Sequence, residues 1–354
     1  MNIFITCSLG GSIWSDSTIQ SAITLYESIN CEDFNVFYLN SGKVYDHKKK
    51  NHKFYNREDL GNTNFPHIDI MVLHQFGLTE KELNIIKKRN PNCKFILYEF
   101  RNVIAFHQDK LIKGMMLDER IDYLDEIWIP EHHSGSLSYM KSYHHGAKVR
   151  CVPYLWSSFY INVLSRQKEM RFNSKNAARV VILEQNKNHA KNCLIPLLAC
   201  EDMESKSPTA FNAYSVMNTQ KIKSSSESMR FIESLKINQR KKLYLNSNWK
   251  TPDIFSKLGQ YVLSHQENNT LNYLYLEALY LGLPLIHNSE YLKSYGYFYN
   301  GNDVSNASNQ LLNAKMNHIE NYDVYMQQNN FLIKEFDPQN PKNKSHFKRI
   351  ITEK

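Results

Sequence analysis

One carboxylate stands inside an apolar stretch. Residues 271–283, "LNYLYLEALYLGL", read as a helix that is apolar nearly all round, with Glu277 in its middle. Burying an unpaired carboxylate costs several kcal/mol, so Glu277 needs partners or a raised pKa. Asn269 and Thr270 stand just before the helix as N-caps, and the first free N–H groups of a helix make an anion site. Glu277 is seven residues past Thr270, two turns down the same face. A phosphate at the helix head and a carboxylate for vicinal hydroxyls is a layout suited to a nucleoside diphosphate sugar. Asn272, His265 and Gln266 flank the same head and are read as further donor-binding residues. The alternative is a structural Glu277 held by backbone or tyrosine hydroxyls.

Lys187 and Lys191 follow the apolar run "RVVILE" at a spacing of four, which on a helix puts both ammonium groups on one face. Like charges so placed repel, and an anion between them relieves the repulsion; the other reading is a solvated pair. Glu99 ends the run "CKFILYE" and is the candidate general base for moving a hydroxyl proton. His74, at the end of "IDIMVLH", is its rival. Gly10 and Gly11 allow a tight loop next to the donor or acceptor. The pairs His132–His133 and His144–His145 have no Cys or carboxylate at metal-ligand spacing, so no metal is expected.

These residues need a frame. At 354 residues the chain suits two domains of about 150 residues each. Short apolar runs alternate with helical patterns, which implies parallel sheets with helices on both faces. The strands expected in the first half are "NIFITCS", "DFNVFYLNS", "IDIMVLHQF", "CKFILYEF", "EIWIP" and "KVRCVPYLW". "TEKELNIIKKRN" reads as an amphipathic helix capped by Thr79. The polar segment "SRQKEMRFNSKNAAR" marks a boundary near residues 160–178. Then "RVVILEQ", "FNAYSVM", "KKLYLNS", "YVLSHQ" and "LPLIHN" repeat the alternation, with a helix expected from about His189 to Met203. The expected organisation is a Rossmann-like acceptor-side domain over 1–165, a Rossmann-like nucleotide-sugar domain over 175–315, and a helical segment over 316–354. The fold class is α/β, with two Rossmann-like domains facing across a cleft in the GT-B architecture.

The net charge of +8, from 43 basic and 35 acidic residues, is compatible with a polyanionic partner without requiring one. Six scattered cysteines suit a reduced, cytoplasmic protein. No apolar run reaches the roughly 18–20 residues of a membrane helix, and "MNIFITCSLGGS" reads as a first strand, not a signal peptide.

The segment "ENNTLNYLYLEALYLGLPLIHNSEYLKSYGYFY" resembles the donor-binding segment of GT-B glycosyltransferases, where a Glu on this helix holds the ribose. Together with "VPYLW" and "ILEQNKNHAKNCLIPLLACED", it resembles a bacterial and phage family of glycosyltransferase-like proteins of unassigned function, over most of residues 65–310. A weaker, local resemblance is to the phage DNA β-glucosyltransferases, which glucosylate hydroxymethylcytosine. "YEFR" is similar to their Asp-Ile-Arg, whose acid is the base. Glu99 replaces that Asp and Arg101 keeps the Arg, on the acceptor side. "QNKNHAK" offers Lys187 and Lys191 where those enzymes have two phosphate-binding arginines, although a lysine cannot grip a phosphate bidentately.

The expected function is therefore transfer of a sugar from a nucleoside diphosphate donor, a UDP-sugar, to a hydroxyl acceptor. The acceptor expected is a hydroxymethylated base of double-stranded phage DNA, with inversion and without a bound cofactor. The run "KVYDHKKKNHKFYNRED", with Lys48, Lys49 and Lys50, is the expected DNA contact. Two alternatives stand beside it: a cell-surface glycan as acceptor, or a nucleotide-sugar or DNA-binding protein without turnover.

Overall fold

The structure, a computed structural model, describes residues 1–11, 13–14, 17–42, 52–174 and 178–353. The chain divides into two compact units, Met1–Ser157 with Glu335–Lys354, and Ser158–Lys334. The C-terminal helices are thus shared out. Val304–Asn317 and most of Tyr322–Phe336 belong to the second unit, and Pro341–Thr352 to the first.

The first unit holds seven strands: β1 (Asn2–Cys7), β2 (Asn35–Asn40), β3 (Lys53–Asn56), β4 (Ile70–Leu73), β5 (Lys94–Tyr98), β6 (Glu126–Pro130) and β7 (Lys148–Val152). They form one parallel sheet in the order β3-β2-β1-β4-β5-β6-β7. The central strands are buried on both faces, as parallel sheets covered by helices must be; every residue of β4 and β6 is buried. The helix Glu80–Arg89 starts as its sequence dictates. Thr79 and Glu82 close a capping box that satisfies backbone donors at the first turn. The C-terminal segment is fastened to this unit. Trp156 N–H donates to Phe336 O at 2.8 Å, and Phe347 packs on Trp128 with ring centroids 5.7 Å apart.

The second unit holds β8 (Arg179–Ile182), β9 (Ala213–Val216), β10 (Leu243–Leu245), β11 (Tyr261–Leu263), β12 (Leu285–His287) and β13 (Tyr297–Phe298), all parallel, in the order β10-β9-β8-β11-β12-β13. Its core gathers Val180, Ile182, Leu197, Cys200, Met203, Tyr214, Tyr261 and Ile286. In both units the first strand lies in the middle and the chain then winds to either side. The strand order therefore reverses between β1 and β4, and again between β8 and β11. In open α/β sheets, ligands bind beyond the carboxyl ends of the strands at such a reversal. Both units are Rossmann-like, as the strand–helix alternation predicted. Among the described residues, no helix is long and apolar enough to cross a membrane.

Two local expectations are corrected. The helix expected from His189 begins at Leu194, so Lys187 and Lys191 do not share a helix face. Residues 183–193 form a loop because asparagine side chains supply the hydrogen bonds a helix would otherwise make. Asn186, at φ 52°, accepts from Cys193 N–H at 2.9 Å and donates to Met217 O at 3.0 Å. Asn188 accepts from Lys191 N–H at 3.1 Å, and Asn192 from Leu194 N–H at 3.0 Å. The helix with Glu277 spans Tyr273–Tyr280, and its cap is Asn272, whose side chain accepts from Tyr275 N–H at 3.0 Å. Asn269 and Thr270 lie in the loop before it, so Thr270 and Glu277 do not share a helix face.

Candidate active site

The reversal point of the second unit is built around a buried carboxylate, Glu184, in the loop just after β8; the side chain is 1% exposed. Its Oε1 accepts from Ser264 Oγ and, at 3.1 Å, from His265 N–H; both residues lie just past β11. Its Oε2 accepts from Gln266 Nε2 at 3.4 Å. Glu267 N–H donates to Ala190 O at 2.9 Å and ties the same two loops through the backbone. Burial pushes the Glu184 carboxyl up to about 7, against the pull of these donors and of the Lys191 charge. Burial also draws the Lys191 ammonium below the usual lysine range, and the Glu184 charge opposes it. Lys191 is partly buried, whereas Lys187 is exposed.

Proton accounting fixes the tautomers. Tyr299 Oη donates to Ser264 O at 2.9 Å, so it must accept from His265 Nδ1, 3.0 Å away. Burial lowers the His265 pKa, and the neutral ring then carries its lone pair on Nε2. Likewise the Ser264 hydroxyl proton goes to Glu184, which makes Tyr275 Oη, 3.0 Å away, the donor to Ser264 Oγ. Gln266 N–H donates to Asn288 Oδ1 at 3.0 Å, and the Gln266 side-chain oxygen accepts from Asn269 Nδ2. The Thr270 carbonyl accepts from Ser289 Oγ. Glu277 is 4% exposed in the middle of its helix. That helix ends at Gly282, at φ 71°, where an added Cβ would come within 2.5 Å of Tyr322 Oη.

The structure therefore brings His265, Gln266, Asn269 and Lys191 to one cluster, and sets Asn272 and Glu277 on the helix that also bears Tyr275. It adds Glu184, Ser264, Tyr275, Asn288 and Tyr299, which the sequence reading had not singled out. For Glu184 the signal was present: "RVVILE" ends in a carboxylate just as "KFILYE" does.

In the first unit, Glu99 follows β5 directly and is 6% exposed. Arg101 grips it with both arms of the guanidinium, Nε to Oε1 and Nη2 to Oε2, each at 2.9 Å, and its N–H adds a bond to Oε1 at 3.1 Å. Arg101 also lies 3.5 Å from Asp118 and over the Phe106 ring at 4.3 Å. His74 follows β4, next to β5. Its Nε2 is 3.1 Å from Thr18 O and its Nδ1 3.4 Å from Tyr98 O. Burial lowers its pKa, against the two carbonyls and the Glu99 charge. The loop after β1 carries Gly10 and Gly11, and a Cβ on Gly11 would stand 3.0 Å from Ile19 Cδ1. Lys48, Lys49 and Lys50 lie outside the described residues. Among the described residues no group of three His, Cys, Asp or Glu is placed to hold a metal.

Two parallel Rossmann-like sheets, each with polar residues past its central strands, define an α/β protein of the GT-B fold class. An α-glucosyltransferase in complex with UDP and a DNA 13-mer containing an HMU base matches at a TM-score of 0.59 and 11% identity, over 99% of this chain and 98% of that one. An α-glucosyltransferase in complex with UDP matches at 0.61 and 10%, over 99% and 100%. The α,α-trehalose 6-phosphate synthase of Burkholderia multivorans matches at 0.62 and 11%, over 99% and 98%. At these identities the likeness is one of fold. No curated protein matches by sequence. The family model described as "Protein of unknown function (DUF2827)" matches residues 3–351, and the chain belongs to that family.

Proposed function

We propose that the protein is a glycosyltransferase whose second unit binds a nucleoside diphosphate sugar, a UDP-sugar, at the β8–β11 reversal point. The observation that carries this reading is the buried polar cluster around Glu184, set where such folds take ligands, in the loop that also bears the partly buried Lys191. In this reading Lys191, with Lys187 at the loop's exposed edge, meets the diphosphate. Glu277 takes the ribose hydroxyls, and His265, Gln266, Asn269, Thr270 and Asn272 shape the sugar end. The loop with Gly10 and Gly11 lets the backbone approach the donor. UDP in two structures of similar fold supports the choice of nucleotide.

For the acceptor we propose a hydroxymethylated base in DNA, with Arg101 and Lys48, Lys49 and Lys50 on the acceptor side. The net charge of +8 and the DNA-bound α-glucosyltransferase of similar fold support it. A base inside a duplex must leave the stack before its hydroxymethyl group can react. Glu99 is the proposed base for an inverting transfer. A retaining transfer is the second reading, favoured by the bidentate hold of Arg101 on Glu99, which occupies both carboxylate oxygens. A similar fold is also described in a study of transfer with retention by trehalose-6-phosphate synthase. Incubation with a panel of sugar nucleotides and DNA containing hydroxymethylated bases, followed by mass analysis of the nucleosides, tests the assignment. A hexose-sized increment on the modified base is the expected result. Transfer only to glycans would move the acceptor, and no donor turnover with any acceptor would leave a binding protein.

A further inference from the structure

We propose that the outer edge of the second unit's sheet, around β10, is a contact surface for an unpaired DNA strand, with lysines on the phosphates and Tyr244 and Trp249 on the bases. The inference rests on the reading of DNA as the acceptor and adds to it a surface in the second unit. It starts from where the charge lies. Residues 219–250 carry eight basic and two acidic side chains, so six of the chain's eight net positive charges fall in this one segment. Two of the eight are used internally: Arg240 Nη1 and Lys242 Nζ lie 2.7 and 3.0 Å from Oε1 of the fully buried Glu204. Arg230 faces Glu227 at 3.8 Å. Lys221, Lys223, Lys241 and Lys250 are exposed, and among the described residues no ion pair joins any of them to a carboxylate. Asp253, which feels the Lys250 charge, is paired with Lys168 at 2.5 Å.

The fold gathers these four lysines around one strand. β10 is the outermost strand of its sheet and pairs with β9. Lys241, at φ 57°, stands just before it, and Trp249 and Lys250 follow it. Thr219, just before the short helix Gln220–Lys223, donates its N–H to Asn246 O at 3.0 Å and its Oγ1 hydroxyl to the same oxygen at 2.9 Å. The helix with Lys221 and Lys223 therefore starts against the loop that carries Trp249 and Lys250. Lysines that only blunt a sheet edge sit on the strand itself. Here they stand beyond its two ends, and the strand presents Tyr244, 52% exposed, with Trp249 40% exposed just past it. Ammonium groups compensate phosphates whatever the base sequence, and aromatic faces take bases that have left the stack. A duplex shows the edges of its bases and not their faces, which selects an unpaired strand, the local form around a base turned out for reaction. At about 3.3 Å per residue, Lys242 to Asn246 spans roughly 13 Å, or about four nucleotides at roughly 3.4 Å each.

The test is binding of a fluorescein-labelled oligo(dT) of about twenty nucleotides to the whole chain, followed by anisotropy across a salt series. The expected log–log slope is about −0.7 per phosphate contacted, so replacing Lys221, Lys223, Lys241 and Lys250 together with Gln should flatten it by about 2–3. Trp249→Ala should weaken binding about five- to hundredfold and leave the slope unchanged. An unchanged slope in a folded four-lysine variant overturns this surface and leaves DNA as acceptor standing through the first unit. Wild-type affinity in Trp249→Ala, with a duplex of the same length bound as tightly, overturns the unpaired strand. Binding to vesicles of phosphatidylcholine and phosphatidylglycerol without binding to oligo(dT) gives the lysines a lipid surface and overturns the proposal. No salt-sensitive binding of single-stranded or duplex DNA by the wild type overturns both this surface and the DNA acceptor.

Discussion

His265 donates its backbone N–H to Glu184 Oε1 at 3.1 Å, so the loops past β8 and β11 are tied together where the strand order reverses. The lock uses a carboxylate 1% exposed, and its ionisation is coupled to the folding of the second unit.

That coupling has a definite sign. The folded-state pKa of Glu184 is raised from 4.5 to about 7, so the fold favours the neutral acid. Its relative contribution to stability is complete below the unfolded value and is lost as pH rises through about 7. The stability of wild type relative to Glu184→Gln should therefore fall by about 3 kcal/mol between pH 4.5 and pH 8. Urea unfolding of both proteins across this range measures it. A constant difference would mean that Glu184 titrates as an ordinary surface carboxylate.

Donor binding should separate the two lysines. Lys191, partly buried in the loop after β8, should cost about 1.5–3 kcal/mol of UDP-sugar affinity when changed to Ala, the range for a hydrogen bond to a charged group. The exposed Lys187 should cost less and act mainly through the salt dependence. Glu277→Ala should weaken donor binding within the same range as Lys191→Ala. Equal affinity for wild type and a well-folded Glu277→Ala would make that carboxylate structural.

Glu99→Gln keeps the side chain's size and removes its charge. If Glu99 is the base, donor affinity should survive while turnover falls by roughly 10²–10⁴-fold. Near-normal turnover, with the anomeric configuration retained in the product by NMR, would instead select the retaining reading.

For a DNA acceptor, duplex affinity should fall with salt at a log–log slope of about −0.9 per phosphate contacted. Replacing Lys48, Lys49 and Lys50 with Gln should flatten that slope and leave donor affinity unchanged. A slope that stays the same would remove these residues from the DNA contact.

Much of this was legible in the sequence where the cause is local. The expected strands are there because apolar runs in a doubly covered sheet are nearly continuous, and Thr79 caps its helix through Glu82, three residues on. β3 was missed because "KFYN" lies inside a basic run and its ends are exposed at the sheet edge. The loop over 183–193 was missed because four lysine and asparagine side chains at helix-like spacing conceal how Asn186, Asn188 and Asn192 bond the backbone instead. The helix head was placed early because Asn269, Thr270 and Asn272 are all competent caps, and only the fold decides which is used. Glu184 escaped notice because its partners, Ser264 and His265, are some eighty residues away in sequence, a separation that no spacing rule spans.

The proposed activity is turnover of a nucleoside diphosphate sugar. The most direct measurement is release of UDP from UDP-sugars by the purified protein, with and without duplex containing hydroxymethylated bases. Slow release without acceptor, a marked increase with that duplex, and a clear fall of both at subsaturating donor in Lys191→Ala are the expected results. Release at the uncatalysed rate under every condition, by a protein shown to be folded, would contradict it.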